Sequence, residues 1–398
     1  MTVSVVMYKT LGISNTDIAL YTGWLYLPWV VKPLWSPVVE MFGTKRRWVL
    51  AMQLAIGTSL ALVALTLPMA SFFQLSLAML WLMAFSSATH DIAADGLYML
   101  ALERHRQAAF VGVRSAFYRV ATIAGQGGLV YLAGQLGDLT GNVAFAWSIV
   151  FFVGGGLFLL LFAWHQFALP APIDDGAKVD RDHLVREFLA TFAAFFRRER
   201  IASVLAFLLL FRFAEAQGLK LVTPFLLDPA ASGGLGLTTS QVGIAYGTFG
   251  VAALTLGGIA GGLAIARWGL DRWLWPMTFA VHVPNVVFVY LAFAQPNDFA
   301  LICAALAVEQ FGYGFGFAAY LMFMIMVAEG PRRTAHYAIC TGFMALGMML
   351  PGMWSGWLQE QIGYARFFLW VCIATIPAFV VVALVKIPRG FGTKEAAH

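Results

Sequence analysis

The chain has 398 residues, of which 61% are hydrophobic, 15% aromatic and only 11% charged. Ordinary soluble domains carry about 25% charged residues, so a water-soluble architecture is excluded and a lipid bilayer is the solvent that fits. The formal charge of +5 does not point to nucleic acid, because the basic residues sit in short loops between apolar runs rather than on one face.

In chain order, apolar runs of the roughly 20 residues needed to cross a bilayer are predicted at 17–40, 47–69, 74–101, 107–135, 143–168, 200–227, 239–265, 273–294, 299–328, 334–358 and 364–386. The breaks between them carry turn and charge signals, such as Gly43-Thr44-Lys45-Arg46-Arg47 and Glu329-Gly330-Pro331-Arg332-Arg333. The expected fold class is therefore an all-α integral membrane bundle with eleven full spans. Alternate loops hold 18 of the 25 basic residues, and the opposite loops hold only Lys9 and Arg366. Such a bias assigns the first set to the cytoplasm.

This orientation places Leu11–Asp17 outside and leaves Met1–Tyr8 too short to span, although its Val-rich character reads as the end of a helix. The expectation is a first helix that is truncated, the alternative being a genuine eleven-helix chain with an outside N-terminus. The longest polar stretch then separates an N-terminal half, 1–169, from a C-terminal half with a short tail, 200–398. Between them, 170–199 reads as a cytoplasmic linker with an amphipathic helix near His183–Arg198. The two halves also repeat locally. Glu103-Arg104-His105-Arg106 and Glu329-Gly330-Pro331-Arg332-Arg333 occupy equivalent loops, as do Phe42–Trp48 and Arg267–Trp273. Six helices plus six, once the first is restored, resembles the major facilitator arrangement of two pseudo-symmetric halves.

Candidate functional residues are the ionisable groups at membrane depth. Each costs at least about 2.5 kcal/mol in hydrocarbon, so each is expected to face a cavity or a partner. Asp91 lies twelve positions before Glu103, and Arg119 twelve after Gln107, which puts both about 18 Å deep. Asp95 and Arg114 match in the same way, and Lys32, eleven positions before Gly43, reaches similar depth. Asp91 and Asp95, four apart, share a helix face. Lys32, His90, Asp91, Asp95, Arg114 and Arg119 are therefore expected to cluster. Such a cluster could bind a polar substrate and take a proton on a carboxylate or on His90; the competing reading is a set of structural ion pairs.

In the C-terminal half Arg212 and Glu215, three apart, can pair on one face, and Gln217, Gly218 and Pro224 suggest a bend beyond them. Glu309 precedes the glycine-rich Gly312–Phe317, whose spacing suits helix packing or a hinge rather than a nucleotide loop. Trp24, Tyr26, Trp35, Tyr118, Tyr313 and Tyr320 could stack on sugar faces or simply pack. The cysteines Cys303, Cys340 and Cys372 lie in apolar runs as small hydrophobes, with no metal or disulfide spacing. No nucleophile–base pair or phosphate loop occurs, so neither enzyme chemistry nor a cofactor is expected.

Pro28-Trp29-Val30-Val31-Lys32-Pro33-Leu34-Trp35-Ser36-Pro37 and Ser87-Ala88-Thr89-His90-Asp91-Ile92-Ala93-Ala94-Asp95-Gly96 resemble the second- and fourth-helix signatures of AmpG-type permeases. His90 stands where that signature usually has Gln. The resemblance implies Lys32, Asp91 and Asp95 as functional positions. It also implies proton-driven import of muropeptides or related amino-sugar oligosaccharides across the bacterial inner membrane, in peptidoglycan recycling. Expected partners are that small molecule, protons and lipid, with the chain acting as a monomer. The rival expectations are a transporter of another small molecule, such as a drug or siderophore exporter, and a membrane sensor that transports nothing.

Overall fold

The computed structural model describes residues 2–102, 117–172, 181–330 and 333–393. Among them, eight helices are long and apolar enough to cross a membrane: Lys45–Thr66, Phe72–Ala101, Val143–Ala168, Ile201–Leu227, Thr239–Trp268, Leu270–Ala294, Phe299–Ala328 and Ala335–Leu384. The differences from the eleven expected runs are local. The run 17–40 is divided into Asn15–Trp24 and Leu27–Met41, with Pro28 in the first turn of the second, where its missing N–H costs nothing. The run 107–135 overlaps residues outside those described and passes through Ala124–Leu129, wound as a π-helix. The last two runs are joined in Ala335–Leu384, whose 50 residues would extend about 75 Å if straight, against about 30 Å of hydrocarbon. That length is turned at Gly363, which has φ 75° and ψ 165°, a conformation open to glycine and strained for any other residue.

The chain forms two compact units. One comprises residues 25–120 and 132–194. Its centre is the helix Lys45–Thr66, packed between Phe72–Ala101 and Val143–Ala168. The Thr44 side chain caps the first of these by accepting from the Arg47 backbone N–H at 3.1 Å, and Asn142 caps the last from Phe145 N–H at 3.0 Å. Arg46 reaches the carbonyls of Leu169 (3.2 Å) and Gln166, so the basic loop 43–47 and the end of Val143–Ala168 meet at the same end of the unit. The charge bias requires that sidedness.

The other unit comprises residues 1–24, 121–131 and 195–398. Here Phe299–Ala328 is central and packs on Val251–Trp268 and Leu270–His282. The alternate glycines 312, 314 and 316 explain how closely. A Cβ on Gly312 or Gly316 would strike the carbonyls of Ala280 or Met277, and one on Gly314 the carbonyl of Leu254. The pair four apart thus admits one neighbour and the glycine between them admits another, which is how helices associate in lipid without a hydrophobic driving force. Of the two sequence readings of this stretch, the packing one describes it: the helix runs unbroken through all three positions.

Candidate functional site

In the first unit Lys32, on Leu27–Met41, forms an ion pair with Asp91, on Phe72–Ala101. Leu27–Met41 contains Pro33 and Pro37, which withhold two backbone donors in the turns that follow Lys32. The pair is partly open, with side-chain exposures of 22% for Lys32 and 44% for Asp91. Next to it the Trp35 ring lies 5.5 Å from Phe85, which in turn stacks on Trp81 at 5.8 Å. Trp35 Nε1 and His90 Nε2 are buried and, among the described residues, have no hydrogen-bond partner. A small apolar core of Val39, Val49, Ala93 and Leu97 fixes the two helices beside the pair.

Depth matching set Lys32 level with Asp91, yet it equally allowed Arg119. The structure pairs Asp91 with Lys32, while the Arg119 guanidinium lies 5.9 Å from the centre of its neighbour Tyr118's ring. Depth fixes the level of a side chain but not the side of the helix from which it projects. Asp95, one turn after Asp91, is half-buried. Arg114 lies outside the described residues.

In the second unit Arg212 and Glu215 pair, as a spacing of three allows. The guanidinium Nε donates to both carboxylate oxygens, at 3.2 and 3.1 Å, and Nη2 donates to Oε1 as well. Arg212 Nη2 also donates to the Tyr313 hydroxyl at 2.6 Å, and its guanidinium lies 4.7 Å from the Phe317 ring centre. Side-chain exposures are 7% and 6%, so this pair is sealed. The span breaks here rather than at Gln217, Gly218 or Pro224: Ile201–Leu210 ends, Arg212 takes φ −103° and ψ 16°, and Phe213–Leu227 runs unbroken through those three residues. Tyr320 donates to the Leu208 carbonyl at 2.6 Å just before the break. Interrupted helices persist inside membranes only where such polar groups are served by protein. Glu309 is buried and accepts from Gln310 Nε2 at 2.8 Å, and the equally buried Lys220 donates to Thr22 Oγ1 at 2.8 Å.

A third polar group escaped sequence reasoning. Asp228 accepts from Lys9 Nζ at 2.7 Å and from the Tyr364 hydroxyl at 2.6 Å. Asn15 Nδ2 reaches Gln359 Oε1 at 2.7 Å and Tyr364 at 2.8 Å, and Glu360 accepts from the Thr16 backbone N–H at 3.0 Å. These residues tie four helix ends on the side that the loop charges assign to the exterior. Partners up to 349 positions apart leave no local signal. The available clue was that all of them flank spans at the same face.

Against known proteins, the chain is 23% identical over 391 residues to the anhydromuropeptide permease of Escherichia coli strain K12, covering 97% of this chain and 74% of that one. It is 24% identical over 412 residues to a Rickettsia conorii protein bearing the name transporter AmpG 4, covering 95% and 91%. Among solved structures, an inward-facing bacterial homologue of the human lysosomal transporter Spinster superposes with a TM-score of 0.70 at 15% identity, over 96% of this chain and 92% of that one. That likeness gives the fold: an all-helical, multi-pass bundle of major facilitator type. The family and these structural neighbours are transporters and not enzymes. The BT1 family model matches residues 1–385, and the chain belongs to the BT1 family.

Proposed function

We propose that this chain is a proton-driven importer of muropeptides or related amino-sugar oligosaccharides in the bacterial inner membrane, with the Lys32–Asp91 pair at the centre of its substrate and proton site. The observation that carries this reading is the partial opening of that pair at membrane depth. A charge about 18 Å inside a bilayer is tolerated when it faces a polar cavity, and an open carboxylate there can exchange its lysine for a proton or a ligand. Two buried polar atoms close by in sequence, Trp35 Nε1 and His90 Nε2, are groups that a hydroxyl-rich ligand would satisfy. The likeness to the Escherichia coli permease supports the substrate class.

In this mechanism the chain works by alternating access, with 1–169 and 200–398 as its two sequence halves and 170–199 as the linker. With Asp91 ionised, Lys32 holds it. Protonation of Asp91 releases Lys32 to a substrate oxygen, and loss of the proton to the cytoplasm re-forms the pair. Asp95, one turn away on the same helix, serves as a second acceptor, and Arg114 and Arg119 supply positive charge nearby. In the other half Glu309 is the available acidic group, and Arg212 with Glu215 holds the broken helix in place. The Asp228 network has to open for a substrate to enter from outside.

The test is uptake of labelled GlcNAc–anhydroMurNAc by cells lacking their own permease, with and without a protonophore. Protonophore-sensitive accumulation is the expected result. No uptake, with the protein shown to be inserted, would refute the substrate assignment.

A further inference from the structure

A cavity of about 300 Å³ lies where three helix ends meet in the larger unit: the start of Ile201–Leu210, the end of Phe299–Ala328 and the residues following Ile376–Leu384. Its walls combine apolar side chains, Phe323, Met326 and Val385, with the cations Arg198, Arg200 and Lys386 and one carboxylate, Glu199. All three cations belong to the loops that the charge bias assigns to the cytoplasm. The cavity therefore sits at the level where a membrane changes from hydrocarbon to headgroup.

The three cations are not equivalent. Arg198 is committed to the protein: it donates to the carbonyls of Val327 and Glu329 (2.9 Å) and approaches His336 Nδ1 at 2.8 Å, capping the C-terminal end of Phe299–Ala328. Among the described residues the Arg200 side chain has one carboxylate contact, a long one to Glu199, 3.9 Å from Nε, with 93% of the Glu199 side chain exposed. A contact of that kind contributes little and is readily exchanged for another anion. Lys386 is exposed and, among the described residues, pairs with no carboxylate. Arg200 also holds the left-handed backbone conformation, φ 57°, which is uncommon for a residue with a side chain.

The helix leading down to Lys386 carries a second feature. Ile376, Val380 and Leu384, spaced four apart on one face, are 58%, 51% and 56% exposed. This forms a continuous apolar stripe that ends two residues before Lys386.

We infer that this cavity binds the headgroup of an anionic phospholipid of the cytoplasmic leaflet, with its phosphate on Arg200 and Lys386 and an acyl chain along Ile376, Val380 and Leu384. Neither feature alone specifies that ligand. A free phosphate would use the cations and leave the stripe without a role, and a zwitterionic lipid would use the stripe without needing two cations. An anionic diacyl lipid uses both, and basic pockets between spans at this membrane face have that chemistry.

The experiment is native mass spectrometry of the detergent-solubilised full chain with phosphatidylglycerol or phosphatidylethanolamine, alongside thermal unfolding with each lipid and with inorganic phosphate. The wild type is expected to retain phosphatidylglycerol selectively and to be stabilised by it. The double variant Arg200→Ala/Lys386→Ala should retain it about thirty-fold more weakly, the effect of removing two cations near an anionic surface. Arg267→Ala/Arg272→Ala, which removes two charges from the same face outside the cavity, should match the wild type. Equal retention of the two lipids by the wild type would overturn the proposal, and that comparison holds even if the variant fails to fold. The proposal fails equally if the control pair loses as much as the cavity pair, or if inorganic phosphate alone reproduces the stabilisation.

Discussion

The two ion pairs at membrane depth use similar chemistry and are held very differently. Lys32–Asp91 is open, at 22% and 44% side-chain exposure, and Asp91 has Lys32 as its charged partner. Arg212–Glu215 is sealed, at 7% and 6%, and its guanidinium is further held by the Tyr313 hydroxyl at 2.6 Å and by the Phe317 ring. A pair that is partly exposed can exchange partners. One closed in by several contacts would leave a buried, unmatched charge if either member were lost, so it is suited to holding a broken helix together. Matching charges at matching depth therefore do not by themselves mean matching roles.

The sharpest way to break this comparison is Asp91→Asn, which is expected to reduce accumulation against a gradient to background while leaving membrane insertion intact. Uptake with a protonophore control measures it, and normal accumulation would remove Asp91 from the coupling step. Glu215→Gln should act on stability instead, at about 3–5 kcal/mol, because it strands the Arg212 cation. Thermal unfolding in detergent reads that loss, and Arg212→Met/Glu215→Met should recover most of it. A Glu215→Gln protein that is as stable as wild type but inactive would reverse the two assignments.

Smaller effects test the surroundings. Tyr364→Phe removes the hydroxyl shared by Asp228 and Asn15 and should cost about 1 kcal/mol. It should also increase labelling, from outside, of a cysteine placed at Thr16. Unchanged labelling would show that the network does not close that face. The smallest change is expected from His90→Gln: a transport rate within about twofold of wild type, with a flatter rate profile between about pH 5 and 8. An unaltered profile would exclude His90 from proton handling.

Much of the fold was legible in the sequence, because hydrocarbon thickness imposes a length on every span and charge on the loops imposes a side. The runs at 47–69, 143–168 and 299–328 reappear as Lys45–Thr66, Val143–Ala168 and Phe299–Ala328. The linker helix expected near His183–Arg198 is Arg181–Phe196. The break at Phe211–Arg212 was not legible, since neither Gly nor Pro marks it. It rests on Tyr320, Tyr313 and Glu215, contacts that exist only once the helices are assembled.

The candidate site divides in the same way. Depth along each helix is counted from the nearest loop, so the sequence alone placed Lys32, Asp91 and Arg119 at one level, and a three-residue spacing alone placed Glu215 beside Arg212. The direction in which a helix turns its side chains depends on what packs against it. Only the tertiary structure could therefore choose Lys32 over Arg119 as the partner of Asp91. The same dependence hid the Lys9–Asn15–Asp228–Tyr364 network and the cavity beside Arg200 and Lys386, whose members are brought together by helix ends that are neighbours in space and remote along the chain.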